Sequence, residues 1–467
     1  MSCCWFRSID ALGRCGSLAI RPPNCGGALR VGKRHATTSP KGKTLPMSVR
    51  WIAIPLCIAG CLSAPTANAG NAPTQSRLLA GNGAASQQFG QAVDLDGDVA
   101  VIGSTLATPI VPVRVFERSA GVWLETATLT PSDGAVGAVF GYDVAVSGQT
   151  IVVSAPERAG AGPRRSGVYV YELVAGVWTQ TAKLSVVDPQ TTDQFGVSVD
   201  IFGDSIVIGA DGADREPFTA LQGTAYVFVR TGQQWQLQQK LFAADGATYD
   251  NFGGSVAIDG DRVLVGCIGS DNGNASPHFN SGAAYVFERV GTQWTQRSKL
   301  TANDGMQSDF FGSEVALSGD VVVAGAPSAR NGIVANQGAA YVFESNGSNV
   351  WTQASKLIAT DGVAGEYFSS AGIAISASTI WIGLPGHAVN GEYMGAAYSF
   401  RRDADTLWTQ RSRIEPFDGV PGQYFGASIA SDGNTTMVGA TAYESSQGAV
   451  YVLFSDQLFR DGFEEPQ

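Results

Sequence analysis

One phrase recurs seven times along this chain, and its spacing decides what the chain can fold into. Phe-Gly stands at Phe89, Phe140, Phe195, Phe252, Phe311 and Phe425, with Phe368-Ser369 as an altered copy. Successive copies lie 51, 55, 57, 59, 57 and 57 residues apart. An aliphatic residue precedes each Phe by 11 positions, from Leu78 and Leu129 through to Ile414. In six copies a basic residue comes just before it: Arg77, Lys183, Lys240, Lys299, Lys356 or Arg413; Thr128 is the variant. A constant interval in varied sequence means a fixed connection between fixed elements. Self-similarity at one period is the signature of a repeat architecture.

Each unit reads as four strands. In the fifth, "SEVALS" alternates, with Val315 and Leu317 on one face, and "DVVVAGA" follows a turn placed at Ser318-Gly319. "GAAYVFE" is a third strand with a Gly-x-x-Tyr landmark, and "WTQASKL" is a polar fourth. Short strands with regular turn signals point to a sandwich, barrel or propeller. No four-stranded sheet of this size buries a core alone, and radial repetition leaves only short, protected edges. The expected fold is therefore all-β, a seven-bladed propeller of four-stranded blades. The seventh unit ends at "GAVYVLF" without a Trp-Thr-Gln strand, whereas "TQSRLLAGNG" (74–83) matches "TQRSKLTANDG" (295–305). Residues 74–80 are thus expected to complete the last blade and close the ring.

The pattern resembles the FG-GAP repeat family, whose best-known members are the propellers of integrin α subunits. The residues that carry the likeness are "FGYDVAVSGQTIVVSAP" (140–156), "FGSEVALSGDVVVAGAP" (311–327) and "FSSAGIAISASTIWIGLP" (368–385). The likeness spans about 380 residues. It implies exposure outside the cell and binding of proteins or glycans through loops on one face. Many members also carry an Asp-x-Asp-x-Asp-Gly calcium loop between the first two strands. Calcium takes six to eight oxygens, which requires a loop long enough to wrap the ion. Here Phe and the Gly of the GAP element (Ser154 in the second copy) are 14 residues apart in six copies and 15 in the other, with no insertion. The nearest imitation, "DLDGD" (94–98), places Asp96-Gly97 at a hairpin turn, where Asp-Gly is common. No metal residue and no cofactor are assigned.

The first 69 residues are of another kind. They hold nine Lys and Arg and one acid, leaving 21 basic against 40 acidic residues, a formal charge of −19. That charge excludes nucleic acid as a partner, since phosphates call for cations. Met47–Arg50 followed by "WIAIPLCIAG" reads as a secretory signal. The apolar run is shorter than the roughly 20 residues that span a bilayer, so no transmembrane segment is expected in the mature chain. Ala67-Asn68-Ala69 offers cleavage before Gly70, while Ile58-Ala59-Gly60-Cys61 resembles a bacterial lipoprotein box with Cys61 as the lipid-bearing residue. The expected organisation is an extension at 1–46 upstream of a true start at Met47, a signal at 47–69, the propeller at 70–456 and a tail at 457–467. A transit peptide is the alternative for the extension. "FRDGFE" in the tail resembles endings of exported bacterial proteins. After cleavage Cys267 alone remains, so no disulfide framework forms.

Three sets of residues are candidates for ligand binding. In the connector before each Phe, Asp133, Asp245, Asp304, Asp361 and Asp418 each precede Gly. Asp193, Asp250, Asp309 and Glu366 sit two residues before Phe. Equivalent loops of a propeller share a face, so these carboxylates form a ring: turn caps, or a patch for a cation or basic partner. The third set lies in the loops between second and third strands, 211–222, 268–281, 328–337 and 386–394, which vary while the strands do not. They hold His278 and Phe279, and His387 and Tyr393, and read either as binding loops or as tolerated drift. The strand-four Trp is expected to pack between blades with the Lys solvated outside, and Cys267 to be a small buried residue.

No His-Glu-x-x-His, Gly-x-Ser-x-Gly or phosphate loop occurs, so no catalytic residue is assigned. The sequence points to a secreted or envelope-surface module for extracellular protein or glycan. The alternatives are a carboxylate-based glycan hydrolase or lyase, and a purely structural envelope protein. The acids follow the repeat, which favours scaffold over catalysis.

Overall fold

Between the first two strands of blades one, three, four and five, Gly and Asp form a two-residue loop, so these units begin as tight hairpins. In blade five the strands are Val315–Ser318 and Val321–Ala326, and the loop is Gly319-Asp320, with Gly319 at φ +53°. A glycine with positive φ in a two-residue loop matches the twist of the flanking strands. The turn thus sits one residue later than the sequence pattern placed it, here and at Gly97-Asp98 in blade one. Asp96 and Ser318 end their strands instead of turning.

In the computed structural model, the described residues are 75–454 apart from 82, 84–85, 106–109, 135–137, 158–165, 187–193, 214–220, 272–279, 348–349, 377, 390 and 404–406. The extension, the signal with Cys61, the tail, Asp193, His278 and Phe279 lie outside them. The described chain forms seven four-stranded antiparallel sheets, six of them in sequence order. The seventh runs Phe425–Ser431, Thr435–Ala440, Ala449–Phe454 and then Gln75–Leu78, which pairs with it from Gln75 opposite Leu453 to Leu78 opposite Val450. The first strand of each sheet lies beside those of its two neighbours, and the ring closes between blades seven and one. This is a seven-bladed propeller closed by its N-terminal strand. Among the described residues no helix is long and apolar enough to cross a membrane.

The core lies between blades rather than within them. One cluster joins Leu264, Val286 and Leu300 of blade four to Phe311, Val322 and Tyr341 of blade five. Another joins Leu78, Val450 and Val452 of blade seven to Phe89, Ala100 and Ile102 of blade one. All seven repeat Phe side chains are fully buried. Phe311 packs edge-on against Phe343 at 5.9 Å and tilted against Tyr341 at 5.6 Å.

Its backbone also rests on the blade before. Phe311 N donates to Ser281 O at 3.0 Å and bridges Gly282. Gly282 has φ +82°, and a Cβ there would meet Phe311 O at 2.0 Å. This close approach explains the glycine of Gly-x-x-Tyr. Phe89 makes the same contact with Gly448, which carries the pattern across the closure.

Candidate functional site

The connector aspartates converge on one arrangement in four blades, and a fifth keeps its basic pair. Asp245 accepts hydrogen bonds from Tyr285 Oη at 2.9 Å and Lys299 Nζ at 2.6 Å. Asp133 does the same with Tyr169 and Lys183, Asp361 with Tyr398 and Arg413, and Asp418 with Tyr451 and Arg77. Asp304 pairs with Lys356 at 2.6 Å. The lysines lie over the tyrosine rings, 5.0 to 5.5 Å from the centroids in blades two to five. The strand-four basic residue is therefore not merely solvated, as the sequence suggested. It is held by the Asp before the blade and the Tyr beside it. The Trp rings take different cations: Arg118 lies over Trp123, Arg230 over Trp235 and Arg289 over Trp294. Trp178 reaches the previous blade through Nε1 to Glu117.

These contacts set the charge states. Partial burial pushes Asp245 up, but the hydrogen bonds from Lys299 and Tyr285 outweigh it and hold the carboxyl below the usual range. Asp304 and Asp361 are held down in the same way by Lys356 and Arg413. Burial and the neighbouring aspartates push the tyrosine hydroxyls up.

The second acidic set sits under the connector. Asp250 accepts from Ala247 N at 2.7 Å and Asp309 from Met306 N at 2.7 Å, each closing a short turn. Both are buried, and burial pushes both carboxyls up. Glu366 accepts from Val363 N at 2.9 Å, and its other oxygen lies 2.9 Å from His387 Nδ1. His387 is buried beneath its loop, against Tyr398, whereas Tyr393 in the same loop is 61% exposed. Cys267 is a free, buried thiol whose Sγ lies 3.3 Å from Asp250 O.

A third set was not singled out in the sequence as one group. First strands have an open edge toward the axis, and side chains of one blade cap the N–H groups of the next. Asp143 Oδ2 accepts from Val199 N at 2.8 Å, Ser198 Oγ from Val256 N at 3.1 Å and Ser255 Oγ from Val315 N at 3.0 Å. Two residues further along, Asp94 accepts from Val146 N and Asp200 from Ile258 N. Asp143, Ser198, Ser255 and Glu314 line an axial cavity of about 250 Å³, with the exposed Tyr142 in its wall. Burial raises Asp94 to about 6 and Asp143 to about 7 against their backbone hydrogen bonds. Glu314 rises to about 7 through burial and the charge of Asp143, and Asp200 also lies well above its ordinary value. Four carboxyls near one axis cannot all ionise freely. The signal in the sequence is that Asp143 and Glu314 stand three residues after Phe, where other blades have Ala or Ser. Among the described residues, no three His, Cys, Asp or Glu side chains form a group that could hold a metal ion.

The FG-GAP repeat model matches residues 73–109, 123–171, 178–228, 235–287, 294–343, 351–400 and 408–454. From the second block on, each match runs from the polar fourth strand of one blade to the third strand of the next. Strand Gln75–Leu78 completes blade seven in that same phase. Among curated proteins no match is found. Seven matched repeats cover most of the sequence and coincide with seven blades, so the chain belongs to the FG-GAP repeat family.

Proposed function

We propose that the chain is an exported binding and adhesion module that takes extracellular protein or glycan ligands through the loops of its connector face. One observation carries this reading. On that face the Asp–Tyr–basic contacts recur in four blades, and between them stand loops that differ from blade to blade. The loop at 328–337 carries Ile333, fully exposed, and the loop at 386–394 carries Tyr393 on a short hairpin of Ala388–Val389 and Glu392–Tyr393. Variable loops on a rigid scaffold are where recognition tends to reside. The signal-like stretch at 47–69 supports export. Mass spectrometry of the exported protein distinguishes a start at Gly70 from a lipidated Cys61.

The test is binding to arrays of glycans and extracellular proteins, with residues 331–335 replaced by a Gly-Ser segment and, separately, Tyr393→Ala. At least one variant is expected to lose a bound ligand about tenfold or more. Ligand binding that neither variant changes overturns the reading.

The axial acids favour a second reading, a carboxylate-based glycan hydrolase or lyase. Asp143 and Glu314 share the cavity, and burial raises both to about 7, the range a general acid requires. Polysaccharide turnover abolished by both Asp143→Asn and Glu314→Gln would support it. Turnover that survives either change would remove it.

A further inference from the structure

The residue that ends the first strand is polar in six blades: Asp96, Ser147, Asp259, Ser318, Ser376 and Ser431. In blade three it is Phe202. The polar residues have a structural task. Asp96 accepts from the turn N–H of Gly148 in the next blade at 2.6 Å, Ser147 from Gly203 at 3.1 Å and Asp259 from Gly319 at 2.6 Å. A phenylalanine cannot accept such a bond from Gly260. Phe202 is also 48% exposed. The turn bond therefore gives no reason for an aromatic residue at this position.

Its surroundings give one. Phe202 lines a groove of about 540 Å³ between blades three and four. This groove shares Gly203 and Arg230 with another of about 460 Å³ between blades two and three. The two grooves adjoin at Gly203 and Arg230 on the hairpin face, opposite the connectors. Beside Phe202 the cleft is polar. Arg230 Nε donates to Asp204 Oδ1 at 2.7 Å and Nη1 to Glu172 at 2.8 Å. One blade on, Arg289 Nε donates to Asp261 Oδ1 at 2.7 Å and Nη1 to Ser205 Oγ at 2.9 Å. Asp204 and Asp261 are each 65% exposed and meet their arginines through Oδ1, which leaves Oδ2 as an acceptor at the surface. Gln238 adds an amide.

We infer that this cleft is a binding site for neutral oligosaccharides. The Phe202 ring stacks on the apolar face of one sugar, and the two Arg–Asp pairs meet its neighbours' hydroxyls. The chemistry fits on three counts. An exposed aromatic face is a platform for the C–H face of a pyranose. A planar guanidinium beside a carboxylate presents donors and an acceptor together, as vicinal hydroxyls require. Both guanidinium charges are already balanced by carboxylates, which favours an uncharged ligand over an anionic sugar or a charged peptide. The site lies on the face opposite the variable loops and does not depend on them.

The test uses the full exported chain and four fluorescently labelled probes: cello-, chito-, manno- and maltotetraose. Fluorescence polarisation is expected to show binding of at least one, weakened about tenfold by Phe202→Ser. Serine is the repeat's own residue here and restores the acceptor for Gly260 N–H, so the variant is expected to melt no lower than the parent. Leu124→Ala, at an exposed residue on the outer strand Val122–Leu129 of blade one, is expected to leave tetrasaccharide binding unchanged. No binding by any probe at about 10 mM overturns the proposal. So does binding that Phe202→Ser leaves intact. A labelled Lys/Arg-rich peptide that binds more tightly than every sugar, and loses binding with Phe202→Ser, also overturns it and makes the cleft a peptide site.

Discussion

Asp245 shows what a single residue does in this molecule. A sequence reader sees Asp before Gly and has two choices, a turn cap or a ligand site. The structure adds two partners 40 and 54 residues away, Tyr285 and Lys299. Tyr285→Phe removes the hydroxyl from a part-buried pair and is expected to lower stability by about 1 kcal/mol, measured by urea denaturation. An unchanged urea midpoint would contradict the arrangement. The basic residue, the Tyr and the Asp were each visible as repeat landmarks. Their meeting was not, because it depends on the connector folding back over the blade it introduces. Phe202 and Glu314 were equally plain in the sequence. They stood out only once equivalent positions were aligned in space.

At the scale of the element, the first strand is where packing and charge meet. Phe311 fills the junction with the preceding blade and contacts Tyr341 and Phe343. Phe311→Ala is expected to cost about 3–5 kcal/mol, read from the same urea transition. A loss below about 1 kcal/mol would mean the site collapses around the gap. The axial carboxyls on these strands make stability depend on pH. Asp94, Asp143 and Glu314 have folded values of about 6, 7 and 7, above their ordinary range. A raised value means the unfolded chain gives up the proton more readily. Their contribution is complete below about pH 4 and is lost as pH rises through 6 to 7. The connector aspartates are held low and act in the opposite sense, losing their contribution as pH falls below about 4. Thermal midpoints of the parent are expected to fall between about pH 5 and pH 8, and Asp143→Asn with Glu314→Gln to flatten that fall. An identical pH profile in the variant would refute the assignment. The strands themselves were legible from alternation and spacing. The hairpin turn was read one residue early, because Gly, not the polar residue before it, takes the first loop position.

At the scale of the whole molecule, closure is the main question. Gln75–Leu78 is the outer strand of a blade whose other three strands lie some 350 residues later. Deleting residues through 80 leaves the edge of Ala449–Phe454 unpaired, and open edges invite association. The truncated chain is expected to melt at lower temperature and to aggregate, and a peptide spanning 70–81 to restore part of the loss. Calorimetry with and without the peptide checks this; an unshifted transition after truncation would show that the strand does not close the ring. The sequence by itself determined the number of blades, their four-strand plan, their phase and the strand that closes them. These follow from local periodicity and from intervals that a chain records directly. Only the tertiary structure decided which side chains meet across blades: the Asp–Tyr–basic lattice, the axial acids and the cleft beside Phe202. Those contacts join residues one blade or more apart. A propeller brings equivalent positions side by side through its curvature, and that curvature is written in no single repeat.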